Sequence, residues 1–487
     1  MSIAALLALA LQAGSPQPAV VPVTGGRVEG SPAAGAGALL FRGIPYAAPP
    51  LADLRWRPPQ PVRPWPGIRP DQADAPACLQ NDSGWNRADY LRSAEDCLTL
   101  DVRTPGLAGK RPVMVWIHGG SNRAGSARGT VQSRITDRGV VLVAVQYRLG
   151  IFGFLPHRGA AAEAKGHAGN YGLMDQAAAL RWVQQNIAKF GGDPANVTIF
   201  GESAGSQDVS LQLAAPGSRA LFAKAILQSG TPGFGMPPRP LAEGLAIGDQ
   251  ADALLHTGGS IAALRRRSVS ALLDADLKLS DPKIVTNGFV WLRTTIDGAF
   301  LPRSPRELLE TAPARPVIVG SNRAEFGTGA VAWDTALPAR FGRGAAKARA
   351  FYRIGDAGRE DDPRLGPVEL EYGTDWIFRC PAGRVAELLA GRGATVWRYE
   401  FDLAQDGGRT SHAAEIPYVM NDLGFGTGAS LQPYWVNFAN TGDPNGAGLP
   451  AWPRFTPAEQ RHVLFDARGV TPGAKLRAPI CSMLEEL

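Results

Sequence analysis

Apolar and polar positions along the chain change their period more than once. Residues 20–28 and 37–42 carry the short runs of an N-terminal hairpin. From residue 112 continuous apolar runs alternate with helical stretches: Val113–Ile117, Val140–Val145, a helix over Asp175–Asn186, Val197–Phe200, and a helix over Ser206–Leu213. Strands apolar on both faces and separated by helices predict a parallel sheet covered on each side. Ala225–Gln228, Pro316–Val319 and Thr395–Phe401 supply further strands. The predicted fold class is α/β, doubly wound and mostly parallel.

Two stretches depart from that alternation. The proline-dense run from Pro45 to Pro70 excludes helix or central strand. Phe41, Ile44, Tyr46, Leu54, Trp56 and Trp65 within and before it need burial, so it reads as extended chain packed across a surface rather than as a linker. Residues 231–295 show Gly/Pro punctuation and amphipathic stretches such as Ala251–Leu264, which predicts a cap-like insertion at the carboxyl edge of the sheet, where a substrate cleft would lie. At the N-terminus, Ile3–Ala13 is apolar but too short to span a bilayer. It reads as the core of a signal peptide over residues 1–18, although no Lys or Arg precedes it, and predicts a secreted or periplasmic protein with a single α/β catalytic domain over 19–487. No later segment reads as a transmembrane helix.

Composition narrows the function classes. With 487 residues, 45% hydrophobic and 19% charged, the chain can bury a large core. Its net charge of +6 is spread rather than striped, and Arg265-Arg266-Arg267 reads as a solvated helix face or turn, so no nucleic-acid partner is expected. The four cysteines, at 78, 97, 380 and 481, form no C-x-x-C pair and have no His at metal-ligand spacing, so no metal is expected. Three disulfide connectivities are open. Cys78–Cys97 and Cys380–Cys481 are favoured because the first pair is close in sequence and the second would tie down the C-terminal tail; the alternative is four free thiols in a reducing compartment.

Gly201-Glu-Ser-Ala-Gly205 is the one G-x-S-x-G in the chain, placed between a predicted strand and a predicted helix. Glycines there permit a tight turn that presents a strained serine, Ser203, as a nucleophile. Gly169-Asn-Tyr-Gly-Leu-Met-Asp-Gln176, Phe190-Gly-Gly-Asp-Pro194 and Val197–Gly205 resemble segments of the type-B carboxylesterases, the cholinesterase-like family. The same family is resembled by Arg42–Ala47, Glu95–Leu98, Val115–Gly120, Tyr147–Gly150 and Leu227–Gly230, in family order across nearly the whole chain.

That resemblance implies an α/β-hydrolase fold, ester hydrolysis through an acyl-enzyme without metal or organic cofactor, and a triad in the order Ser, acid, His. His256, His412 and His462 follow Ser203. His412, in His412-Ala-Ala-Glu-Ile-Pro-Tyr418, is similar to the family's base-bearing loop, whereas His256 falls on a predicted helix and His462 on a predicted strand. Glu325 follows the strand Pro316–Val319 as the family's acid does, with Asp297 as a rival turn cap and Asp375 as a rival structural carboxylate.

A tetrahedral oxyanion needs backbone donors, and the turn after Val113–Ile117 together with the residue after the nucleophile nominates Gly120, Ser121 and Ala204. The family carries three glycines and an aromatic where this chain reads Gly119-Gly-Ser-Asn122, so a donor survives at Ser121 if its backbone does not demand glycine, and Asn122 would alter the cleft floor. Glu202 and Ser229 are expected to support the site, Asp175 to fix the fold, and Trp85 to pack or line the rim. The triad does not exclude amide, carbamate or lactone hydrolysis, or acyl transfer. A non-catalytic binding module of the same family is disfavoured by the presence of Ser203, Glu325 and His412. The ester itself would be selected by residues 231–295 and 330–365, where the resemblance is thinnest; oligomeric state is not legible.

Overall fold

The computed structural model describes residues 18–484 apart from 36, 234–236, 282–292, 328, 405 and 427. The expected leader therefore lies, save for its last residue, outside the described residues, as does part of the expected insertion.

One large sheet organises the chain. Its path comprises β1 (Ala19–Val23), β2 (Gly26–Pro32), β3 (Leu39–Pro45), β4 (Thr99–Thr104), β5 (Arg111–Ile117), β6 (Val141–Val145), β7 (Gly192–Glu202), β8 (Lys224–Gln228), β9 (Val317–Asn322), β10 (Val396–Asp402), β11 (Arg461–Asp466) and β12 (Gly469–Ala474). In space the order is β1-β2-β3-β4-β6-β5-β7-β8-β9-β10-β11-β12, with Ile68–Arg69 paired to β2 off this path. The strands from β6 across to β11 are parallel; the pairings outside them are antiparallel, except that Ile68–Arg69 runs parallel to β2.

The pleat explains the unbroken apolar runs. Val113, Val115 and Ile117 of β5 bury on one face beside Leu173, Leu180 and Val183 of α1 (Tyr171–Asn186), while Met114 and Trp116 bury on the other beside Trp435 and Phe438. Both faces are covered, so neither can be polar. The chain moves from β5 to β6 on one side and returns to β7 on the other, which makes the carboxyl ends of β5 and β7 a topological switch point. Ile117 is in register with Gly201 there.

Several expectations are refined by the fold. The predicted strand 20–28 is split by a turn at Thr24-Gly25, where Gly25 has φ +98°. The proline-dense run is packed as expected, with buried Trp56 donating to the Ile151 carbonyl at 2.8 Å, but it includes a short helical turn at Ala52–Leu54. The predicted helix Ala251–Leu264 is two: α3 (Leu241–Leu255) ends where His256 turns left-handed before Gly258-Gly259, and α4 (Ile261–Arg265) follows. Arg265 is not solvated: it is buried and paired with Glu163 at 2.7 Å. These helices and α5 (Val269–Asp276) pack against the chain that follows β6, through His157 on Asp252 at 3.0 Å and the Ile151 N–H on Asp276 at 2.8 Å. Asp276 also pairs with Arg123, in the turn after β5, at 3.1 Å. Among the described residues no helix is long and apolar enough to cross a membrane.

Both favoured disulfides are present, Cys78–Cys97 and Cys380–Cys481, enclosing separations of 19 and 101 residues. The second fastens the tail helix Ala478–Cys481 to α7 (Cys380–Gly391) beside a small apolar cluster containing Tyr372, Trp376 and Ile480. Chain entropy makes the longer loop the more stabilising link, about 4–5 kcal/mol on that model. Replacing Cys380 and Cys481 together by Ala is expected to lower the urea midpoint of unfolding more than the Cys78/Cys97 pair does; an unchanged midpoint would contradict it.

Candidate active site

The strand β7 ends at Glu202 and the helix α2 (Ala204–Ala214) begins one residue later. Ser203 occupies the gap with φ 58° and ψ −126°, a conformation non-glycine residues hold only when their surroundings force it. The forcing contacts are visible. The Ser203 N–H donates to the Gln228 carbonyl at 2.9 Å, and a Cβ at Gly205 would overlap the Ile117 carbonyl, so only glycine lets α2 approach β5 this closely.

Two loops bring the other residues in. Glu325, buried, follows β9, and His412 sits after β10, whose strand pairs with β9. The His412 N–H donates to the Glu325 carbonyl at 3.2 Å, and Nδ1 lies 2.7 Å from Glu325 Oε2. Glu325 is itself fixed: Oε1 accepts the Asn322 N–H at 2.7 Å, and its own N–H donates to Thr374 Oγ1 at 3.1 Å. On the opposite side of the imidazole, Nε2 is 3.1 Å from Glu202 Oε1. Among the described residues Nε2 completes no hydrogen bond, with Ser203 Oγ or any other group. Catalytic hydrogen bonds commonly tighten only when substrate is bound.

A third buried glutamate, Glu415, accepts from Asn322 Nδ2 at 2.8 Å and from Gln228 Nε2 at 3.2 Å. Burial and the charge of Glu325 raise its pKa. Glu202 is pushed up to about 8, chiefly by burial and then by Glu415 and Glu325, against the pull of His412. His412 is lifted to about 9 because the nearby glutamates, Glu202 first, outweigh its own desolvation. Glu325 on the Nδ1 side and Glu202 on the Nε2 side both favour the protonated imidazole.

The turn after β5 faces the elbow. Gly120 has φ +102°, and a Cβ there would overlap the Ala124 carbonyl, so glycine is required. Arg123 and Ala124 N–H groups close the turn on the Gly120 carbonyl at 3.0 Å. Among the described residues the N–H groups of Gly120, Ser121 and Ala204 donate to nothing, and Ala204 is the first residue of α2, whose N–H has no partner within the helix. Ser121 has φ 57°, so this backbone does favour glycine, and serine holds it at a cost of about 1–2 kcal/mol. Asn122, where the family has an aromatic, is also left-handed at φ 56°. It is buried: Nδ2 donates to Asp208 at 3.1 Å and Oδ1 accepts from the Tyr147 hydroxyl at 3.3 Å. Trp85 is at the rim, 62% exposed, with its ring edge against Gly120.

The rival residues lie elsewhere. His256 is exposed at the end of α3, and His462 is buried in β11 with its pKa lowered to about 4 by burial. Asp297 accepts the Ala299 and Leu301 N–H groups as a turn cap, and Asp375 pairs with Arg379 and Arg477. Asp175 is wholly buried against Arg148 at 2.7 Å. Ser229 is buried behind the elbow, its Oγ without a hydrogen-bond partner among the described residues. Sequence reasoning left Glu415, Asn322 and Gln228 unassigned. Glu415, three residues beyond His412, carried a signal in that it is a second acid within the base-bearing loop.

The sequence pattern of the Carboxylesterase family matches residues 17–483. The chain is 35% identical to the human Cocaine esterase (Homo sapiens) over 88% of its own length and 83% of that protein. It is likewise 35% identical to the Fumonisin B1 esterase of Sphingopyxis macrogoltabida over 85% of its length and 81% of the relative. Among solved structures, a PNB esterase superposes with TM-score 0.82 at 29% identity, covering 96% of this chain and 99% of that one. A carboxylesterase of Geobacillus stearothermophilus superposes with TM-score 0.80 at 30% identity, covering 96% and 100%.

Proposed function

The chain belongs to the carboxylesterase family and is a serine carboxylic-ester hydrolase with the α/β-hydrolase fold, and from that premise we propose that Ser203, His412 and Glu325 carry its reaction. The observation that supports this most is His412 held by Glu325 at 2.7 Å through Nδ1, with Nε2 on the side of the Glu202–Ser203 elbow, 3.1 Å from Glu202 Oε1. Ser203 Oγ adds to the ester carbonyl as His412 Nε2 takes its proton. The N–H groups of Gly120, Ser121 and Ala204 receive the oxyanion, each such donor being worth roughly 3–4 kcal/mol of barrier. Collapse breaks the bond to the alcohol oxygen, which leaves with the proton from Nε2. Water then repeats the sequence on the acyl-enzyme, releasing the acid and restoring Ser203.

Glu202 and Ser229 belong to the supporting shell in this reading. The two disulfides support a secreted or periplasmic location. The test of function is joint: the protein should turn over an activated short-chain ester, and a fluorophosphonate should add once, at Ser203. Absence of both sinks the proposal.

The pocket's charge gives a pH prediction. His412 works as a base only when neutral, and Glu202 at 3.1 Å favours the protonated form. Glu202→Gln removes that attraction, so the acid limb of the kcat/KM profile should move to lower pH, by about 1 unit. A limb that stays in place, or moves upward, contradicts the assignment of Glu202.

A further inference from the structure

Two phenylalanines stand beside His412 without a part in the triad or the oxyanion turn. Phe326, next in sequence to Glu325, is 44% exposed, and its ring meets the His412 ring edge-on with centroids 4.8 Å apart. Phe378 is buried, 5.1 Å from the His412 ring, and meets Phe326 at 5.0 Å with the planes 87° apart. Together they continue the imidazole edge into an aromatic surface, one end of which is open to solvent.

The backbone under this surface is irregular and firmly held. A π-helical turn, Asp375–Arg379, joins α6 (Val368–Thr374) to α7 and carries Phe378. Turns of this kind swing the residues that follow around the helix axis and occur often at functional sites. Arg379 anchors it, pairing with Asp375 and with Glu400 at 2.8 Å, while Thr374 Oγ1 receives the Glu325 N–H at 3.1 Å. The same short segment therefore positions both the acid and the aromatic surface.

Reaction geometry decides which half of the substrate meets it. The departing alkoxide takes its proton from His412 Nε2, so the alcohol oxygen must lie against the imidazole, and the carbon it carries extends past that ring. The acyl group is fixed instead by its oxygen at Gly120, Ser121 and Ala204. We infer that Phe326, backed by Phe378, forms a leaving-group subsite that selects esters of bulky apolar or aromatic alcohols over esters of small alkyl alcohols. This rests on the Ser203–His412–Glu325 reading.

The experiment compares the methyl and benzyl esters of one short acid, and the benzyl esters of two acids, in the wild type, Phe326→Ala and Phe326→Leu. Loss of an aromatic contact and its buried area should lower the benzyl-to-methyl ratio of kcat/KM about tenfold in Phe326→Ala. Phe326→Leu, which keeps apolar bulk, should fall between. Both esters of one acid pass through the same acyl-enzyme, so an effect confined to the alcohol side cannot arise from deacylation or from general damage to the fold. A ratio that holds within twofold while the wild type turns over both esters overturns the subsite alone, as does a change that appears between acids instead. A wild type that hydrolyses neither ester and takes no fluorophosphonate overturns the triad reading and the subsite with it.

Discussion

Ser203→Ala is expected to lower kcat/KM for an activated short-chain ester by about 10⁴-fold or more, with the loss mainly in kcat. The substitution removes the atom that bonds to the acyl carbon and leaves the rest of the site in place. The strained backbone at φ 58° is imposed by Gly205, Gln228 and the start of α2 rather than by the hydroxyl, so alanine inherits the same conformation. The oxyanion donors also remain, and a residual rate above that in water is the expected floor. Fluorophosphonate labelling must vanish in the same variant while the unfolding midpoint stays close to that of the parent. If labelling persists, the nucleophile is elsewhere, and Ser229, a buried hydroxyl without a hydrogen-bond partner among the described residues, becomes the next residue to replace.

Why some of this was readable in the sequence and some was not follows from the range of the interactions involved. The elbow is local in that strand, turn and helix are consecutive, although both of its glycines also answer the Ile117 carbonyl of β5. The parallel sheet is legible because burial on both faces leaves no polar position in β6 or in β5 after Arg111. Asn122 is different. Whether its side chain enters the cleft or the core depends on φ at two successive left-handed residues and on Asp208 and Tyr147, neither of them close in sequence. Arg265 looked solvated as one of three consecutive arginines, yet Glu163 and the Arg55 carbonyl bury it from a hundred and more residues away. The π-helical turn has no periodicity of its own within a helical run, so Phe378 could not be placed beside His412 from spacing. Substrate selection rests on such distant encounters, which is why chemistry was legible before specificity.

Glu325→Gln should cost about 10³–10⁴-fold in kcat, although the replacement is nearly the same size. In the parent, Oε1 accepts the Asn322 N–H at 2.7 Å and Oε2 receives the proton on His412 Nδ1, also at 2.7 Å. A glutamine must keep its carbonyl toward the Asn322 N–H, because that donor is buried and cannot turn away. Its NH₂ group then faces Nδ1, which can satisfy it only as an acceptor. The imidazole proton is driven to Nε2, where the Ser203 proton has to be received, so the base is present in the wrong tautomer. The variant should fold with nearly the parent's thermal midpoint and still bind a non-hydrolysable ester analogue, while both turnover and fluorophosphonate labelling slow together. Retention of activity within tenfold would remove Glu325 from the triad, and the acid would then have to be sought in Glu202 or Glu415, the two other carboxylates that bear on His412.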